Sequence, residues 1–102
     1  MKTALTIDSL KYLKVELSPD VLFQELDGEV VLLSIKTGEY YGLNEVGARI
    51  WVLLKQDRPL NEIAQTILAR YEVSDEALIN DMMRFLHTLE HDGLAKVVDQ
   101  GA

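Results

Sequence analysis

The 102-residue chain contains no cysteine, so disulfides and thiolate chemistry are excluded and a cytoplasmic location is the default expectation. Long hydrophobic runs are missing too. The longest, Val30 to Leu33 and Ile50 to Leu54, fall far below the ~20 residues of a membrane helix. Met1 to Pro19 has lysines but no continuous apolar block and no small-residue cleavage site, so no signal peptide is read. Basic charge is scarce: ten Lys and Arg against seventeen Asp and Glu give −7, the wrong sign for general binding to a phosphate backbone. A Gly-rich phosphate loop, a nucleophile elbow and a zinc signature are all lacking. Nor is there a repeat or low-complexity tract. Catalysis is therefore not expected, and function must come from a binding surface.

What is present is one ordinary globular domain, 48% hydrophobic and 26% charged. Residues 1–20 read as an N-terminal arm, partly extended at Tyr12 to Leu17, that ends at Ser18-Pro19-Asp20. Residues 21–98 read as the domain and residues 99–102 as a tail. Val21 to Asp27 and Glu29 to Ile35 are β-rich runs joined by the tight-turn signal Asp27-Gly28. Lys36-Thr37-Gly38 turns into a third strand, Glu39 to Leu43, which completes an antiparallel meander. The middle strand (Val30, Val31, Leu32, Leu33) is apolar on both faces, so both should be covered.

Three helices are expected next. Asn44 is a good N-cap for a helix carrying Val46, Ile50, Leu53 and Leu54 at helical spacing, with Trp51 beside them as core. Asp57-Arg58-Pro59 stops it. The second helix spans about Leu60 to Tyr71. Ser74 caps the third, with Asp75 and Glu76 suited to its dipole, and Gly93 ends it. Leu94 to Val98 could form a terminal strand. The fold class is thus α+β and winged helix-turn-helix-like: a three-stranded antiparallel sheet followed by three α-helices.

The third helix is unusually apolar. With Leu78 at zero and about 100° per residue, Phe85, Leu89 and Met82 fall within about 40° of it. Leu86, Ile79 and Met83 carry the arc on to about 140°, wider than the ~100° stripe that faces a core. Two readings follow: the helix packs centrally under both sheet and helix, or the Ile79, Met83 and Leu86 flank faces a ligand.

The ordered set Asp27-Gly28, Thr37-Gly38-Glu39-Tyr40-Tyr41, Leu43-Asn44, Gly47-Ala48 and Ile50-Trp51 is informative as a set. With Glu62-Ile63-Ala64, Asp81, Phe85-Leu86 and Gly93-Leu94 it resembles the PqqD-like family, the leader-peptide recognition domains of ribosomal peptide modification pathways (RiPP recognition elements). The likeness covers Val21 to Val98. Within the family it looks most like the small stand-alone proteins of lasso peptide biosynthesis. The resemblance implies a precursor's leader that adds as a strand to the third strand and lies beside the third helix. The implied peptide-binding residues are Glu39, Tyr40, Tyr41, Gly42, Leu43, Ile79, Met82, Met83 and Leu86. No cofactor or metal is implied. The implied partners are the leader and a separate maturation enzyme, either a cysteine protease or, as in the pyrroloquinoline quinone pathway, a radical SAM enzyme. Gly42 suits close backbone approach; a bulge toward Asn44 is the bland alternative. Tyr40 and Tyr41 should point to opposite faces.

Other readings are weaker. His87 and His91 are four apart but lack a third ligand, so a solvated face is expected rather than a metal site. A winged-helix adaptor or nucleic-acid reader shares the fold. A recognition helix should be basic, however, and the third helix opens with Asp75 and Glu76, adds Asp81, and has only Arg84 as a full cation. A free strand edge would also permit a homodimer.

Overall fold

The computed structural model describes residues 5–27 and 29–101. Met1 to Ala4 of the expected arm, Gly28 of the expected turn and Ala102 of the expected tail lie outside the described residues. A short 3-10 helix (Asp8–Tyr12) leads into β1 (Leu13–Leu17), followed by β2 (Val21–Leu26), β3 (Glu29–Ser34) and β4 (Tyr40–Leu43). Three helices follow, α1 (Glu45–Lys55), α2 (Leu60–Arg70) and α3 (Asp75–His91), and β5 (Ala95–Asp99) closes the chain. The α+β class and the sheet-then-helices order agree with the sequence reading.

Strands β2, β3 and β4 form an antiparallel sheet in that order, so β4 is an edge. Asp27 takes the left-handed backbone (φ 52°) that Asp tolerates, and Leu26 pairs with Glu29 across the turn. The second turn is closed by Ser34, whose N–H donates to the Glu39 carbonyl at 2.9 Å and whose carbonyl accepts from Gly38 N–H at 2.8 Å. Gly38 sits at φ 75°, which suits the missing Cβ. Alternation then sets the faces. Leu32 and Ser34 are buried on the helix side, whereas Val31 and Leu33 are only half-buried on the other. That outer face, expected to be covered, leaves Leu22, Leu26, Ile35 and Tyr40 exposed.

The helix ends follow the expected chemistry. Asn44 Oδ1 accepts from Gly47 N–H at 2.7 Å, and Ser74 Oγ from Ala77 N–H at 3.1 Å. At the end of α3, Gly93 is left-handed (φ 73°), and Leu94 N–H reaches back to the Leu89 carbonyl at 2.8 Å. That reversal sends β5 back to pair with β1, Leu17 opposite Ala95 and Leu13 opposite Asp99. The strand expected near Tyr12 to Leu17 and the terminal strand thus form a second, two-stranded sheet, a pairing that no local signal announces. Just before β1, Leu10 is fully buried in the same core as Leu32, Trp51, Ile63, Met82 and Leu94.

Candidate functional site: the β4 edge and its groove

The hydrogen-bond phase of β4 decides which of its amides are available. In an antiparallel ladder, directly opposed residues alternate between pairs that exchange both bonds and pairs that exchange none. The Ser34 to Glu39 bond marks one bonded pair. The register places Tyr41 opposite Leu32 and Leu43 opposite Val30 as the next bonded pairs. Tyr40 and Gly42, opposite Leu33 and Val31, therefore turn their N–H and C=O groups to the free edge. Side chains alternate in the same phase: Tyr41 and Leu43 pack against the core, while Tyr40 is 58% exposed.

Beside that edge, β4, α1 and α3 enclose a groove of about 510 Å³. Tyr41 and Leu43 form its strand wall, Val46 and Ile50 its α1 wall, and Leu78, Phe85 and Leu89 its α3 wall. Asp81, Arg84, Thr88 and Asp92 add polar groups along α3. Arg84 and Asp81 lie 3.6 Å apart with both side chains well exposed, a pairing of little net strength that a charged ligand can exchange. A methyl on Gly47 would sit 3.1 Å from Asn44 Oδ1 and 3.6 Å from the Phe85 ring. Glycine there lets the capped start of α1 approach the aromatic wall. On Gly42, by contrast, a methyl would meet no heavy atom within 4 Å, and the unbroken register opposite Val31 rules out a bulge.

The expected site residues divide cleanly. Tyr40, Tyr41, Gly42 and Leu43 form β4, and Glu39 precedes it, bonded back to Ser34. Tyr41, Gly42 and Leu43 line the groove. The four α3 residues expected along the cleft do not line it. Ile79, Met82 and Leu86 are buried in the core, and Met83 packs against it. The groove instead takes the opposite flank of the apolar arc, where Phe85 meets Asp81, Thr88 and Asp92. Periodicity missed this wall because half of it is polar. Its one signal is an aromatic residue at the edge of the arc, with a carboxylate one turn before it, Asp81, and another two turns after it, Asp92.

Among the described residues, no group of three or more His, Cys, Asp and Glu side chains is placed to hold a metal ion. His87 and His91 are both exposed, and His91 Nδ1 meets Asp92 Oδ1 at 3.2 Å. The Asp8 carboxylate holds the Lys11 ammonium above its usual pKa, but neither residue lines the groove. Among the described residues, no helix is long and apolar enough to cross a membrane.

Against known families, residues 29–95 match Coenzyme PQQ synthesis protein D (PqqD). The chain belongs to the PqqD family. No curated protein matches it. Two solved structures share the fold. One, TbiB1 in complex with the TbiA(beta) leader peptide, is 38% identical, with a TM-score of 0.73 over 79% of this chain and 94% of that one. The other, lasso peptide synthetase B1 complexed with the leader peptide, is 28% identical, with a TM-score of 0.74 over 81% and 98%. Both similar proteins were thus captured holding a leader. The family match falls within the span Val21 to Val98 read from the sequence and covers the β4 edge, the groove and α3.

Proposed function

We propose that this PqqD-family chain is a non-catalytic leader-peptide-binding protein. It takes up the leader of a ribosomally made precursor as an added strand on β4 and presents it to a separate maturation enzyme, in a lasso-type pathway a cysteine protease. The observation that carries this reading is the juxtaposition of the free Tyr40 and Gly42 amides with the apolar groove under Tyr41 and Leu43. Main-chain bonds to an edge strand supply affinity with little sequence demand, and pockets for alternate side chains supply selectivity. Peptide residues opposite Tyr41 and Leu43 would point into the groove, and the residue opposite Gly42 would point away from it. The leader-bound state of both similar structures supports the same reading. An acidic chain without cysteine suits such a role in the cytoplasm.

Proline substitution tests the phase of the edge. Gly42→Pro removes an outward N–H at a position an edge strand tolerates. Leader affinity, read by fluorescence anisotropy, should fall by about three- to tenfold, the net value of one hydrogen bond. Tyr41→Pro removes an inward bond to β3 and should instead lower the melting temperature. Equal effects of the two variants on leader affinity at unchanged stability would contradict the proposal.

A further inference from the structure

A second cavity, of about 720 Å³, opens on a different face of α1. The groove uses Val46, Gly47 and Ile50, whereas this cavity uses Ala48, Arg49 and Val52, with Phe23 and Val30 from the sheet and Ile67 and Arg70 from α2. Phe23 and Val52 are each 38% exposed, so apolar surface faces solvent from both walls. The leader-binding reading does not use this cavity, yet the two sites share the Gly42-Leu43-Asn44 backbone and meet at the β4–α1 junction.

The charges around it are unequal in their commitments. Arg49 Nε donates to Tyr71 Oη at 2.8 Å, and that hydroxyl donates to the Glu45 carboxylate, so Glu45 and Arg49 answer each other through Tyr71. Glu29 stands at the start of β3 on the sheet wall. On the helix wall Arg70 is exposed and has no ion pair among the described residues. On a chain of net charge −7, an acid-bearing segment is repelled by most of the surface and admitted where an uncommitted cation borders apolar surface.

We propose that this cavity is the docking site of the maturation enzyme. The enzyme inserts an aliphatic or aromatic side chain against Phe23 and Val52 and sets a neighbouring carboxylate on Arg70. The inference rests on the leader-binding reading and adds a second surface to it: leader on β4, enzyme beside it across α1. Delivery then becomes a matter of proximity, because one small protein holds both within a few residues of Asn44.

The test uses the full chain, a labelled leader peptide and the purified maturation enzyme encoded beside it. Enzyme binding is read by biolayer interferometry and leader binding by anisotropy, for Val52→Asp, Arg70→Glu and the control Arg70→Lys, with circular dichroism to confirm folding. Each acidic substitution should weaken enzyme binding about tenfold or more, as expected for truncating or reversing an interface anchor. Arg70→Lys should keep most of it, and leader affinity should stay within about twofold throughout. Either folded acidic variant binding the enzyme as wild type does would overturn the proposal. So would parallel loss of leader and enzyme, which would deny a separate surface. A wild-type protein that binds the enzyme but not the leader would sink the leader-binding reading instead and leave the cavity judged by its variants.

Discussion

At the scale of the residue, α3 offers a sharp contrast. Phe85 lines the groove at the edge of the apolar arc, whereas Met83 packs against the core outside it. Phe85→Ala should therefore weaken leader binding by about 1–3 kcal/mol, the range for losing a large apolar contact at an interface. Met83→Ala should leave leader affinity unchanged while lowering stability. Isothermal titration and thermal melting separate the two effects, and the reverse pattern would return the cleft to the Met83 flank. The β4 residues were legible because an aromatic strand bounded by Gly38 and the Asn44 cap carries strong local signals. The α3 wall was not. A helix between core and groove shows one broad apolar arc, and the sequence does not mark which edge meets core and which meets ligand. Asp81 and Thr88 look like solvated residues until the sheet is set opposite them. The phase of β4 was equally hidden, because it depends on a single turn bond, from Ser34 to Glu39.

At the scale of the element, capping and turn chemistry place the site. Asn44 ends β4 and starts α1 within one residue, so the strand wall and the α1 wall of the groove are covalently adjacent. Ser74 does the same service for α3, the third wall. Ser74→Ala should cost about 1 kcal/mol, the usual value of a lost N-cap. That corresponds to a fall in melting temperature of roughly 4–8 °C for a domain of this size, measurable by calorimetry. Leader affinity should hold once the protein is folded, since Ser74 does not line the groove. An unchanged melting temperature would mean that the Ala77 N–H finds another acceptor. Helix boundaries were readable to within a residue or so, because Asn44, Ser74, Pro59 and Gly93 act through local backbone geometry. The cover over the outer sheet face was expected from the apolar middle strand, and none of the described residues provides it. Val31 and Leu33 stay half-exposed beside Leu22, Leu26 and Tyr40.

At the scale of the whole molecule, the segment before Pro19 is tied to the fold at two points. Leu10 is fully buried, and β1 pairs with β5 along its length. The α3 helix packs on β5, so this small sheet backs the helix that forms the groove wall. Leu10→Ala should then cost about 2–5 kcal/mol, as for a buried leucine elsewhere, and denaturant unfolding would show it. A loss below about 1 kcal/mol, the scale of a surface change, would mean that the segment is only appended. Sequence reading sees Met1 to Asp20 as scattered leucines among charges, since pairing across some eighty residues leaves no periodic trace. The central claim concerns the free edge of the other sheet, at β4, where the proposed peptide strand adds. It is tested most directly by amide hydrogen exchange on the protein with and without the leader peptide encoded beside it. Strand addition at β4 predicts new protection at the Tyr40 and Gly42 amides, with Tyr41 and Leu43 already protected in the free protein. Protection appearing elsewhere, with Tyr40 and Gly42 exchanging as freely as before, would contradict leader capture at this edge.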